Sequence, residues 1–401
     1  MSAFVSSCWI RGALRVLVLA GAAAAMPASA DGVLDTLQTH GFVSQGFVLT
    51  DDNNLFGPSS DGGSLQFTEV GLNASLQPHS DVLIAAQVLS RRAGGDGRAA
   101  RPRLDYAILD YQVHSDRNRH WGVQVGRPKI PLGLYNQTRD VAFTRPSILL
   151  PQSIYFDRTR SMALSSDGLV VYGEERMPSG ALRWQIGAGV PQAEEDLAEA
   201  VFLDDPQGRF RGRPSGIAQL LYEHDGGRVI GAFSVGRLRA EFDSAAPELD
   251  GGQFLLRPWV LSLQYNAEQW SLTGEYALRE SSLSGAGVAR EFDVTGESAY
   301  VQYSRRFRED WQWLVRFDVL YADRTDRSGS DFETATDLPA HSRFAKDLTF
   351  GLQWQPHPQL LVAAEYHRVD GTGWLPRRDN PDAFATERRW DAFLLQTSLR
   401  F

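Results

Sequence analysis

Along most of the chain, apolar and polar residues alternate one by one. In segment 311–321, Trp311, Trp313, Val315, Phe317, Val319 and Tyr321 oppose Gln312, Leu314, Arg316, Asp318 and Leu320. Thr68, Val70, Leu72, Ala74 and Leu76 oppose Glu69, Gly71, Asn73, Ser75 and Gln77 in the same way. The chain ends with Phe393, Leu395, Thr397, Leu399 and Phe401 on one face and Ala392, Leu394, Gln396, Ser398 and Arg400 on the other. A period of two is that of a β-strand with one face toward an apolar medium and the other toward a polar one. The pattern predicts strands near 40–50, 65–77, 82–91, 103–113, 121–127, 167–175, 181–190, 216–224, 228–238, 253–265, 270–279, 295–306, 311–322, 346–355, 359–369 and 389–401, about 16 in all.

The connections decide what these strands build. Every second one is a tight turn: 78–81, 115–120, 176–180, 225–227, 266–269, 307–310 and 356–358. Between them lie long polar segments at 51–64, 92–102, 128–166, 191–215, 239–252, 280–294, 323–345 and 370–388. A Greek-key sandwich has no reason to alternate short and long, whereas an up-and-down membrane barrel does so by construction. The expected fold is therefore all-β: a transmembrane antiparallel up-and-down β-barrel with long extracellular loops and short periplasmic turns. Trp121, Trp270, Trp311, Trp354 and Phe401, with Tyr222, Tyr265 and Tyr303, all fall at the tight-turn end, where an interfacial aromatic girdle belongs.

Composition fits a secreted membrane protein. Residues 1–30 carry Arg11 and Arg15, the apolar run 16–25 and Ala28-Ser29-Ala30, the three parts of a cleavable signal peptide, which leaves 31–401 as one barrel domain. The single cysteine, Cys8, lies in the signal, so no disulfide is expected in the mature chain. Losing Arg11 and Arg15 takes the formal charge from -9 to -11, which argues against a nucleic-acid partner. After residue 30 no apolar run is long enough for a membrane helix, so a membrane-spanning chain would have to close as a barrel to satisfy its backbone.

Two segments carry a resemblance. The terminal strand ending in Phe401 looks like the closing strand of Gram-negative outer-membrane barrels, which implies that Phe401 belongs to the signal read by the barrel-assembly machinery. The third long connection runs Gly126-Arg127-Pro128-Lys129-Ile130-Pro131-Leu132-Gly133, then Thr138-Arg139-Asp140 and Arg145-Pro146-Ser147. In position, length and wording it resembles the inward-folded third loop of porin-like outer-membrane proteins. That resemblance implies a water-filled channel for small hydrophilic solutes, in outer-membrane lipid and usually a homotrimer, and it implies no particular solute.

Read without the family, this loop reverses the sign of the chain. From 127 to 166, Arg127, Lys129, Arg139, Arg145, Arg158 and Arg160 stand against Asp140 and Asp157, a net of +4. A basic lining at a constriction would favour anions, because low-dielectric walls strengthen each charge. Sequence adjacency would pair Arg139 with Asp140 and Arg158 with Asp157, leaving Lys129, Arg145 and Arg160 as the expected unpaired cations. Pro146, Ile148, Leu149, Leu150, Pro151, Ile154, Tyr155 and Phe156 are too apolar for a solvated loop and predict packing inside the barrel. The inward rows add Glu69, Asp110, Glu223, Glu275, Asp318 and Glu365 beside Arg183, Arg306 and Arg316 as expected pore-wall residues, which would set a transverse field across the loop.

Enzyme signatures are weak. No nucleophile elbow, phosphate-binding loop or zinc-helix motif occurs. His79, His114, His120, His224 and His357 sit at tight turns without metal-ligand spacing, and Asp51, Asp52, Asn53 and Asn54 lack the spacing of a calcium loop, so no metal or cofactor is expected. A barrel phospholipase would need a lipid-facing Ser, His and Asn near the outer rim, where only His341 and His367 fall. A structural or adhesive barrel is the other alternative, since long loops also serve partners. Residues 193–202 read as a helical turn in the fourth long loop, acting as a lid or packing element.

Overall fold

The computed structural model describes residues 30–94, 100–193, 195–202, 208–245, 251–287 and 291–401. The expected signal peptide, residues 1–30, lies outside that set except for Ala30, and Cys8 lies outside it too. Sixteen strands follow in order: β1 (Gln38–Thr50), β2 (Ser64–His79), β3 (Val82–Ala93), β4 (Arg103–Ser115), β5 (Arg119–Arg127), β6 (Ser166–Met177), β7 (Gly180–Pro191) and β8 (Gly208–His224). The second half comprises β9 (Val229–Ser244), β10 (Gly252–Asn266), β11 (Trp270–Ser284), β12 (Phe292–Arg308), β13 (Trp311–Tyr321), β14 (Phe344–His357), β15 (Leu360–Asp370) and β16 (Arg389–Arg400). Each pairs antiparallel with its sequence neighbours, and β1 pairs with β16 to close the barrel.

The outer face is the apolar row of each strand. Leu72, Ile186, Leu263, Val301 and Phe317 are more than half exposed. Holding such side chains in water would forfeit roughly 1.5 to 3 kcal/mol apiece, so this surface suits lipid. At the tight-turn end the girdle includes a run of ring contacts, Tyr265–Trp270 at 5.3 Å, Trp270–Tyr303 at 5.7 Å and Tyr303–Trp313 at 5.4 Å, and a separate pair, Trp311 stacked on Trp354 at 5.5 Å.

Several strands run further toward the long-loop end than their alternation suggests. β8 was expected from 216 and begins at Gly208; β9 was expected to stop at 238 and reaches Ser244. The extension is charged, which reads as loop, yet the ladder continues because the charges pair across it. Arg211 meets Asp243 at 2.6 Å and Arg213 meets Glu241. Cross-strand opposite charges support the outward row of this extension, while Phe210, Ala240 and Phe242 on its other face are buried.

The seam between the two ends of the chain is held at both rims. Phe401 exchanges backbone hydrogen bonds with Gly41 at 2.9 and 2.8 Å, and its ring lies where a Cβ on Gly41 would stand, 2.5 Å away. Glycine at 41 is what lets that ring settle. At the other rim the first long loop ties to the last: Asn53 Nδ2 donates to the Glu387 carbonyl at 2.7 Å, and Asn380 Nδ2 donates to the Asn54 carbonyl at 2.7 Å. The Asx cluster at 51–54 therefore serves loop anchoring.

The third long connection, residues 128–165 and hereafter L3, folds into the barrel. Ile130, Leu132, Leu150, Ile154 and Tyr155 pack on Ile217, Val260, Ala277 and Tyr300 of the inner wall. Ile148 and Leu149 join a second cluster with Val48, Phe67 and Leu394. The apolar run at 146–156 is thus spent inside the lumen. In the fourth long loop, a short helix, α1 (Glu195–Val201), forms where a helical turn was expected, and Leu197 with Phe202 packs on Phe210, Phe242 and Met162.

A closed ladder leaves no strand edge for detergent to attack. Purified protein loaded unboiled on a detergent gel should migrate differently from the boiled sample; one mobility for both would contradict the closed barrel.

Candidate functional site

L3 is a segment of backbone buried away from water, so each N–H and C=O in it needs a partner. The inner wall supplies many of them. Glu365 accepts from the adjacent backbone N–H groups of Ile148 and Leu149, the latter at 3.2 Å. Arg316 donates to the Leu149 carbonyl at 3.0 Å and to Ser147 Oγ at 2.9 Å. Glu275 accepts the Tyr155 hydroxyl at 2.7 Å and the Leu134 N–H at 3.0 Å, and Tyr155 in turn accepts the Leu134 and Tyr135 N–H groups at 2.8 and 2.9 Å. Ser153 is held at its N–H by Asp318 at 3.4 Å and at its carbonyl by Arg279 at 2.7 Å. Gly133, at φ +59°, donates to Ser234 Oγ at 3.1 Å and accepts from Gln219 at 2.8 Å. A Cβ there would stand 2.6 Å from the Tyr155 hydroxyl.

The cations of L3 are likewise engaged. Arg145 meets Glu69 at 2.9 Å, and Glu69 also holds Arg91 at 3.1 Å. Arg91 reaches on to Asp157 at 3.0 Å, which takes Arg139 at 2.9 Å and Arg160 at 3.7 Å. Asp140 is shared by Lys129 and Arg160, and Lys129 also meets Asp105 at 2.6 Å. Arg127 meets Asp167 at 2.6 Å. Arg158 lies over the Phe156 ring, 5.6 Å from its centroid, and donates to the Gly373 carbonyl at 3.4 Å.

This corrects two expectations. Lys129, Arg145 and Arg160 are not the unpaired members of the set, because Asp105, Asp140, Asp157 and Glu69 come to them from distant strands or from across the loop. Arg139 bonds Asp157 in place of its neighbour Asp140, whose carboxylate Lys129 and Arg160 occupy. The inward acids Glu69, Glu275, Asp318 and Glu365 do not face the loop across water. They touch it, because buried guanidinium and N–H groups without acceptors would each cost about 1 to 3 kcal/mol or more.

Electrostatics within L3 follow from this pairing. Burial pushes the Asp157 carboxyl up, but Arg91, Arg139 and Arg160 more than offset that and hold it at about 2. Burial acts on Asp140 in the same direction, and Lys129 and Arg160 bring it well below the usual carboxylate range. Burial and neighbouring Arg160 lower Arg139 to about 10, leaving it cationic at neutral pH.

The rest of the inner wall stays open. Asp110 on β4 accepts from Gln124 at 2.8 Å and Tyr172 at 2.6 Å, and all three side chains remain half-buried. On β7, Arg183 is 47% exposed and bridges Glu174 at 2.8 Å to Glu223 at 2.7 Å. Arg306 is exposed at the tight-turn end. On L3 between 131 and 160, the exposed residues are Gln137, Thr138 and Thr144, all uncharged, and Gln137 meets Gln185 of β7 at 2.9 Å.

Arg91, Asp105, Gln219 and Arg279 were not singled out from the sequence. Arg91 carried a usable signal: it stands opposite Glu69 in the β2–β3 register, an inward charge facing an inward charge. His367 lies on the inner wall, buried, with Asp347 at 2.8 Å and Glu365 at 3.3 Å, so it is not on the lipid face that a barrel phospholipase uses.

Solved structures resemble this arrangement. An anion-selective porin from Comamonas acidovorans superposes with a TM-score of 0.55 at 11% identity, covering 91% of this chain and 99% of that one. The fold is that of the outer-membrane porins. The outer-membrane channel DcaP of Acinetobacter baumannii superposes with a TM-score of 0.54 at 13% identity, covering 91% and 97%. For OprB of Pseudomonas putida the TM-score is 0.55 at 12% identity, covering 92% and 95%. No protein-family model matches the sequence, and no curated protein matches it.

Two outcomes test the anchoring of this porin-fold loop. A cysteine at Leu149 should resist bulky thiol reagents in the wild-type background, and Glu365→Ala should expose it by stranding two buried N–H groups, at about 1 to 3 kcal/mol each. Equal labelling in both backgrounds would show that Glu365 does not hold the loop. For pH, the folded Asp157 value lies below that of an unfolded aspartate near 3.9, so its contribution is complete above that value and is lost as pH falls toward about 2. Labelling at Leu149 should therefore stay low from pH 7 to pH 5 and rise only in strong acid; a rise near neutrality would contradict the pairing.

Proposed function

We propose that this chain is an outer-membrane porin that lets small hydrophilic solutes diffuse passively past L3. The observation that carries the reading is the division of the inner wall. L3 is sealed against β9–β16 and β1–β3, and is met by Asp105 of β4 and by Ile217 and Gln219 of β8. Asp110, Gln124, Tyr172, Arg183 and Glu223, further along β4–β8, stay half-buried or exposed on the side of a loop face of Gln137, Thr138 and Thr144. A water path between these two polar surfaces would be lined by hydroxyls, amides and already paired charges. The basic loop then biases passage toward anions only weakly, since Glu69, Asp105, Asp140, Asp157 and Asp167 neutralise its cations at contact distance.

The same reading makes the chain a resident of outer-membrane lipid after signal cleavage near Ala30, assembled as a homotrimer, with Phe401 as part of the signal for the barrel-assembly machinery. It assigns no catalytic residue and no cofactor.

Single-channel recording with purified protein tests it. The channel should conduct potassium chloride with a weak preference for chloride in a salt gradient. A charged thiol reagent should reduce conductance of Thr138→Cys and Thr144→Cys and leave Ile148→Cys unchanged. A barrel that inserts without conducting, or reagent effects confined to position 148, would reject the proposed path. In cells, deleting Phe401 should lower the outer-membrane level of the protein; unchanged levels would remove Phe401 from the assembly signal.

A further inference from the structure

Above L3, at the long-loop end, lies a cavity of about 380 Å³. Its floor is Phe156 and Arg158 of L3, its walls are the ends of β10 to β13, and its rim is built from the fourth, seventh and eighth long loops. Five phenylalanines line it: Phe156, Phe202, Phe254, Phe292 and Phe332. Its charged lining residues are Arg158, Arg279, Arg343 and Arg377, and no acid is among its described lining residues. In a chain of formal charge -9, four arginines around an aromatic cavity call for a ligand that uses both. The volume and the mix of apolar walls with a few polar groups are those of a small-molecule site.

The arginines differ in how they are held. Arg279 is bonded to neutral acceptors, the Ser153 carbonyl at 2.7 Å and Ser298 Oγ at 2.7 Å. Arg158 and Arg377 donate to the carbonyls of Gly373 and Phe202. The Arg343 guanidinium stands 4.4 Å from the centroid of the Phe332 ring, and among the described residues its side chain makes no hydrogen bond or ion pair. Asp318, Asp323 and Asp326 act on Arg279 and Arg343 from outside the lining. Stacking on Phe332 orients the guanidinium while its N–H groups stay available, which suits a planar carboxylate accepting two parallel bonds.

We propose that this cavity binds an amphiphilic monocarboxylate with an aromatic body, its ring among the phenylalanines and its carboxylate on Arg343. Arg158, Arg279 and Arg377 set the positive potential that excludes a cationic analogue. The proposal goes beyond solute diffusion and does not need the lumen to conduct, because the site is complete above L3.

Equilibrium titration of the purified full-length barrel at low salt, with 2-naphthoate as the probe, tests it. Naphthoate should bind saturably, while the neutral isostere 2-naphthamide should bind about tenfold more weakly for want of a charge-assisted pair. Acetate, lacking the ring, should show no saturable binding. Arg343→Gln should weaken naphthoate and leave naphthamide unchanged; Phe332→Ala should weaken both. Arg343→Lys keeps the charge without the fork and should fall between wild type and Arg343→Gln. Heat-modified gel mobility establishes that each variant is folded. Equal affinity for naphthoate and naphthamide would reduce the cavity to an apolar sink. Unchanged naphthoate affinity in Arg343→Gln, or no saturable binding at all, would overturn the proposal. A channel that fails to conduct yet binds naphthoate as described would reject the diffusion reading alone.

Discussion

A buried peptide group must find a hydrogen-bond partner, and the whole molecule is organised around that demand. In lipid it forces the sixteen strands to close, since any open edge would strand a row of donors and acceptors. Inside the lumen it acts a second time. L3 has left both the sheet and bulk water, so the barrel wall must present acceptors to Ile148, Leu149 and Leu134 and donors to the carbonyls of Leu149 and Ser153. The charged side chains on the inward rows are the consequence. A wall of serines alone could not satisfy adjacent N–H groups with one side chain, as the Glu365 carboxylate does.

The same demand explains why L3 is basic. A wall provided with carboxylates for backbone N–H groups has acidic side chains to balance, and the guanidinium groups of the loop are placed to do so. Buried ion pairs of this kind add little to net stability when complete and cost several kcal/mol when half is removed. Their role is to fix one arrangement of the loop. Arg91 joins Glu69 to Asp157, and through those acids Arg145, Arg139 and Arg160 belong to one connected network.

Much of this was legible in the alternation and the rhythm of short and long connections, because both follow from local geometry and from the two media on either side of the wall. Inward-facing Glu69, Glu275, Arg316, Asp318 and Glu365 follow from the period of two. Their partners do not. Glu365 and Ile148 are 217 residues apart, and nothing local says which acid will meet which cation. Adjacency was misleading at Arg139 and Asp140, since Asp140 is satisfied by Lys129 and Arg160. At β8 and β9 a charged run concealed strand, because the cross-strand partners of Arg211 and Arg213 are 32 and 28 residues away. The cavity above L3 was illegible for a similar reason: its lining is gathered from three long loops, L3 and four strands.

The junction of β1 with β16 has one further consequence. In a closed sheet the pair formed by the two ends of the chain is the only one with no covalent link through a hairpin, and so the natural place for the cylinder to part sideways. Here the ladder runs from Phe42–Arg400 to Thr50–Ala392, the Phe401 ring fills the space beside Gly41 at one rim, and asparagine bonds between the first and last loops span the other. A barrel zipped along that line and tied at both rims is closed toward the bilayer at the β1–β16 seam, the place where sideways parting would break no hairpin.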